Sequence, residues 1–160
     1  MAKRLLRTRL AVENCRSHLD ESSAWGTEIE AYLTQHVLVI MCAEIQQELY
    51  AVLEERAGEA SDEELKSFAV ATGKKVLRSV GKKEIASFVG HFGRDAKDFL
   101  NQIVDEREIT LYNNAISNRH DIAHKTGANV TFRELEDILK SASNLINAVE
   151  RAISSTREAA

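Results

Sequence analysis

The sequence predicts an all-α protein, a single-domain helical bundle spanning residues 1–160 with additional short helices. Three observations lead there. The 160 residues include no proline, so the strongest helix breaker is missing. A composition of 44% hydrophobic and 29% charged residues fits neither a disordered chain nor a turn-rich β-sandwich. Apolar residues recur at three- and four-residue steps in the segments between glycines, the spacing of one helix face. A chain of this length buries roughly two thirds of its unfolded surface in a single core.

Leu5, Leu6, Leu10, Val12 and Leu19 mark a first helix over about residues 3 to 20, interrupted by Asp20-Glu21-Ser22-Ser23. A long second helix runs from about Thr27 to Arg56 on Ile29, Leu33, Val37, Ile40, Met41, Ile45, Leu49, Val52 and Leu53, and Gly58 stops it. Ser61 and Glu64 stand at capping-box spacing and open a third helix to about Val80, which Gly81 ends. A short helix covers Glu84 to His91 and closes at Gly93; another covers Asp95 to Val104 with Phe99, Leu100, Ile103 and Val104 as its apolar side. Ile109, Leu111, Tyr112, Ile116 and Ala123 mark the next, from about Glu106 to His124. Thr131-Phe132-Arg133-Glu134 is a second capping box. It starts the last helix, whose buried side is expected to be Leu135, Ile138, Leu139, Ala142, Leu145, Ile146, Val149 and Ile153.

The formal net charge of −4 argues against binding nucleic acid through global electrostatics, since such domains are usually basic. Charge is nevertheless uneven. Lys74, Lys75, Arg78, Lys82 and Lys83 form a basic block suited to guiding a polyanion, whereas Glu44 to Glu64 is acidic. The plain reading of such a block is a solvated helix face. Cys15 and Cys42 share no metal-ligand spacing and read as reduced core residues of a cytoplasmic protein. The basic start is followed by Arg9, Glu13 and Arg16, unlike a secretory signal. The most apolar run, Val37 to Ala43, is far shorter than the roughly 20 residues that cross a bilayer, so no membrane partner is expected.

The densest cluster of candidate chemistry is Asn118-Arg119-His120-Asp121-Ile122-Ala123-His124. On an ideal helix Arg119 and His124 are separated by about 140° and share no face. If the helix frays near His124, as Lys125-Thr126-Gly127 suggests, the histidine folds back towards the arginine and the two flank one phosphate. The plain alternative makes Arg119 a surface ion-pairing residue and His124 a charge at the helix C-terminus, favourable by about 0.3–1 kcal/mol when protonated. His120 and His124 also stand at the i, i+4 spacing of zinc ligands, with Asp121 where a hydrolase carries its glutamate. His18, His36 and His91 supply no recognisable third-ligand spacing, so neither a metal nor a cofactor is expected.

Arg119-His120-Asp121-Ile122-Ala123-His124 resembles the arginine-x4-to-6-histidine motif of HEPN domains, and Thr131-Phe132-Arg133-Glu134-Leu135-Glu136 resembles the RiboL-PSP type. The resemblance covers roughly Asn113 to Ile153; the earlier helices agree in number and kind. It implies a HEPN-type helical bundle and, in many members, a metal-independent endoribonuclease of toxin-antitoxin, phage-defence or RNA-processing systems. Other members only bind, so the alternative is an inactive module holding a partner protein or nucleotide.

Cleaving RNA without a metal uses the 2′-hydroxyl as nucleophile, which DNA lacks. His124 suits proton transfer because both its forms coexist near neutrality. Arg119, always charged and planar, suits gripping two phosphate oxygens. One copy is then a proton-transfer group short. A two-fold dimer supplying one His124 as base and the other as acid solves this, as the resemblance also implies. Asn118, His120 and Asp121 are supporting candidates, as are Glu44 and Glu48, which interrupt the apolar second helix four residues apart. Trp25, Tyr32 and Tyr112 read as packing more than as base-stacking groups. The expected partners are RNA, a second copy, and a cognate antitoxin or other protein.

Overall fold

In the computed structural model the described residues are 4–122 and 130–155, with residues 118–122 described in their backbone course. Among them the chain is helical throughout with no strand: α1 (Leu6–Ser22), α2 (Glu28–Ala57), α3 (Glu63–Val76), α4 (Lys82–Gly90), α5 (Arg94–Ile103), α6 (Glu106–Ile122), a 3-10 turn at Phe132–Glu134, and α7 (Leu135–Ser155). The all-α expectation holds. The chain divides into two compact units, Met1–Glu44 with Arg107–Ser143, and Ile45–Glu106 with Asn144–Ala160.

In the first unit α1 buries Thr8, Val12, Cys15 and Leu19, a three- and four-residue stripe continuing from the fully buried Leu5. Leu6 and Leu10, expected on that stripe, are 57% exposed each. They lie well over a right angle away from it on a helix of about 100° per residue. Ser23 takes a left-handed conformation, φ 51°, and its N–H closes α1 on Asp20. Trp25 Nε1–H donates to Asp20 Oδ1 at 2.8 Å, and its ring meets Phe132 edge-on at 5.5 Å. Thr27 Oγ1 accepts from Ile29 N–H at 3.2 Å, capping α2 where the sequence places its start. Of the α2 positions expected inside, Val37, Met41, Ile45, Leu49, Val52 and Leu53 are buried, while Leu33 and Ile40 are half-buried and Ile29 is 46% exposed.

α2 corrects the sequence reading on one count: by length and composition it is apolar enough to cross a membrane, with a mean hydropathy of 1.2 over its most apolar window. Counting uninterrupted apolar runs misses this, because Thr34, Gln35 and His36 break the run while the windowed mean absorbs them. Within the protein 44% of that window is buried.

In the second unit the third helix begins on Asp62, not Ser61: Asp62 Oδ1 accepts from Glu64 and Leu65 N–H at 2.9 Å each. It ends at Val76, four residues before the expected Val80. Side chains of α2 take its last carbonyls, Gln46 Nε2 donating to Leu77 O at 3.1 Å and Tyr50 Oη to the same oxygen at 3.3 Å. Leu77 then turns inward, fully buried. Gly81, expected to stop this helix, is the N-cap of α4. α4 packs on α5, where Lys82 Nζ donates to Asn101 Oδ1 at 2.8 Å.

No residue of α3 is buried. Every position expected on the inner side of α7 is buried, each such large apolar side chain contributing about 1.5–3 kcal/mol. α3 lacks that hold. It lies close to α2 because Gly73 lacks a Cβ, which would stand 2.6 Å from Leu53 Cδ2. The α7 start matches its capping-box pattern: Thr131 N–H and Oγ1–H both donate to Glu134 Oε2, at 2.7 and 2.8 Å.

Candidate functional site

α6 is set in place by Tyr112, Ala115 and Ile116, buried at three- and four-residue spacing. Position 119 follows in the same register and falls in the last turn of the helix, which is described to Ile122. Asn118, Arg119, His120 and Asp121 therefore share one helical turn of backbone. His124 and the fold-back geometry expected between it and Arg119 lie outside the described residues. The segment 123–129 joins α6 to the Thr131 cap, so the arginine comes from a helix end held by a buried stripe.

Glu44, a supporting candidate, is engaged at the start of α1. Its Oε1 accepts from Arg7 N–H at 3.0 Å, and its Oε2 accepts from Thr8 N–H at 2.8 Å and from Thr8 Oγ1–H at 2.6 Å. The carboxylate thus caps the N-terminus of α1 from a neighbouring helix, satisfying orphan amides where the macrodipole favours negative charge. Leu5, the residue at the cap, holds a left-handed φ of 57° and supplies no side-chain cap of its own. Glu48 is half-buried one turn further along α2. No sequence rule finds the Glu44 cap, because capping patterns are local and this one links residues 36 apart.

The basic block belongs to the second unit. Lys74 ion-pairs with Glu54 and lies 5.4 Å from the Tyr50 ring centre. Lys75, Arg78 and Lys83 are exposed, and Arg78 Nε–H donates to Lys75 O. Of the aromatic residues considered for stacking, Tyr112 is fully buried, Trp25 is packed on Phe132, and Tyr32 is 64% exposed. Burial, with Cys42 nearby, pushes the Tyr112 phenol far above its ordinary pKa, and burial also raises the Cys15 thiol. Among the described residues no three His, Cys, Asp or Glu side chains cluster as a metal site would need.

An all-α chain with Arg119 in the last turn of a core-anchored helix and a Thr-x-x-Glu cap opening the final helix has the makings of a HEPN-type domain. The chain matches the RiboL-PSP-HEPN family over residues 4–155 and belongs to that family. No curated protein and no solved structure matches it. Membership ties the chain to nuclease-like or RNA-related function, and the match extends the likeness from the last two helices to α1.

Proposed function

We propose that this protein is a metal-independent endoribonuclease acting through Arg119 and His124 in a homodimer, in a toxin-antitoxin, phage-defence or RNA-processing setting in the cytoplasm. The observation that carries the reading is the family match across residues 4–155, with Arg119 in the final turn of a helix anchored by Tyr112, Ala115 and Ile116. In this reading one His124 removes the 2′-hydroxyl proton and the second protonates the departing 5′-oxygen. Arg119 holds the non-bridging oxygens as negative charge grows on the phosphorane, a contact whose loss costs on the order of 3–4 kcal/mol in the transition state. Asn118, His120 and Asp121 orient substrate or imidazole. Lys75, Arg78 and Lys83 attract the phosphodiester backbone, and Lys74 and Lys82, already engaged with Glu54 and Asn101, contribute less.

The test is cleavage of labelled RNA in EDTA by wild type, Arg119→Ala and His124→Ala. Wild type is expected to leave 2′,3′-cyclic phosphate ends and both variants intact RNA. Activity abolished by EDTA, or undiminished in both variants, would overturn the mechanism.

A further inference from the structure

Leu65, Phe68, Ala69, Thr72, Gly73 and Val76 lie on one face of α3, at the three- and four-residue recurrence of an amphipathic helix, and all six line a cavity of about 480 Å³. Such a face ordinarily meets a core. Here Leu65, Phe68 and Val76 stay 58%, 67% and 41% exposed. Opposite them α2 supplies Leu53, Arg56 and Ala57, and α4 supplies Phe88, with Phe92 just beyond its end. Leu53 and Phe88 are buried, and Phe88 meets Phe92 edge-on with ring centres 5.5 Å apart. The floor is therefore packed, whereas the α3 wall buries nothing. Every lining residue belongs to the second unit. One polar atom of this lining lacks a complement. The Arg56 side chain is 31% exposed and its Nη1–H donates to Glu59 at 2.7 Å, but its Nε is sealed from solvent and meets no acceptor among the described residues. A buried N–H left unmet is a standing cost that an arriving acceptor removes.

We propose that this cavity binds an uncharged, chain-like small molecule, an acyl amide or ester, whose carbonyl oxygen accepts from Arg56 Nε–H while its hydrocarbon lies along the α3 face. The volume falls within the range of about 300–1,000 Å³ typical of ligand pockets, as does an apolar lining with one placed donor. Charge selects the head group. Arg56 is the one lining side chain that always carries charge, and Glu59 already balances it, so a carboxylate would bring an unmatched charge among apolar walls. A neutral carbonyl brings only the missing acceptor. Shape selects the tail. Leu65 and Val76 stand about 16 Å apart along α3 at 1.5 Å per residue, and the cavity drawn out over that length has a cross-section of about 30 Å². That suits a single chain better than fused rings. The Glu54–Lys74 ion pair and the Tyr50 hydroxyl on Leu77 O set α2 and α3 antiparallel, which puts Arg56 towards Leu65. The head therefore sits at that end, and the chain runs towards Val76. This site is independent of the RNA chemistry proposed above, and its test needs no cleavage.

Octanamide is the probe, with octanoate and butanamide beside it. Calorimetric titration of the full chain should give one saturable site for octanamide with a Kd below about 1 mM, at least tenfold tighter than for either comparator. Arg56→Met, which keeps the apolar stem and removes the donor, should weaken binding at least fivefold. Ala57→Phe, which sets a ring into the cavity, should abolish it. Should Ala57→Phe fail to fold, Phe68→Ser at an exposed position removes part of one wall and should weaken binding at least threefold. Hydrogen exchange of α3 should slow when octanamide is added, and that of α1, in the other unit, should not. A Kd above about 1 mM, octanoate or butanamide binding as tightly as octanamide, or full affinity in Arg56→Met would each overturn the proposal. So would protection confined to helices other than α2, α3 and α4, the mark of adsorption elsewhere.

Discussion

Glu44 and Thr8 are joined twice, by backbone and by hydroxyl, so that one side chain of α2 holds the first turn of α1. Thr8 is fully buried, which leaves its hydroxyl no solvent to turn to. Glu44→Ala should therefore destabilise the protein by about 1–3 kcal/mol, the cost of a buried donor left unmet, measured by urea unfolding. Cleavage per folded molecule should change far less. A stable Glu44→Ala protein with a collapsed rate would instead place this carboxylate in the chemistry.

α3 should exchange its amide hydrogens fastest of the described helices, because it buries no side chain and local opening follows the loss of buried contacts. Gly73→Ala tests its seating on α2. The added methyl meets Leu53, and overpacking of about 1–3 kcal/mol should outweigh the roughly 1 kcal/mol that alanine gains as a helix former. The penalty should shrink in a Leu53→Ala background, which a double-mutant cycle reads directly.

Alkaline pH should unfold the protein through Tyr112. Burial and nearby Cys42 raise the phenol's pKa in the folded state, so the unfolded chain loses this proton first. The contribution is fully present below the unfolded phenol's pKa near 10 and is lost as pH rises above it. Cys15, also raised by burial, adds to the loss from the ordinary thiol range upward. Tyr112→Phe should flatten the fall of stability above about pH 10, followed by denaturant midpoints from pH 8 to 11.

Lys75→Ala, Arg78→Ala and Lys83→Ala together should weaken RNA binding and lower the slope of log affinity against log salt by about 2, at roughly 0.7 per lost phosphate contact on a single strand. Lys74→Ala alone should change the slope little, since its ammonium already pairs with Glu54. Fluorescence anisotropy at several salt concentrations checks both. An unchanged slope in the triple variant would remove the block from the RNA path.

The helices were legible because their signals are local. The α7 stripe and the Thr131–Glu134 box need only a few neighbouring residues, and both stand where the pattern puts them. Asp62 in place of Ser61, and the end of α3 at Val76, escaped because rival caps lie side by side and because Gln46 and Tyr50 reach in from another helix. The α2 stripe was misjudged for a related reason. Periodicity reports that Ile29 recurs with Leu33 and Val37, but α2 is apolar on two sides, and spacing alone does not say which side meets the core. The match over residues 4–155 supports the family that the spacing of Arg119 and His124 suggested; the geometry joining the two falls outside the described residues.

Cys15 and Cys42 are the protein's whole stock of thiols, both are buried, and both belong to the first unit. A native sample should thus be nearly silent to a thiol-modifying dye, and any slow reaction is a clock for the breathing of that unit alone. Since the second unit holds no thiol, the same clock can be moved there by one engineered cysteine, and comparing the two rates would tell whether the halves open together or one at a time.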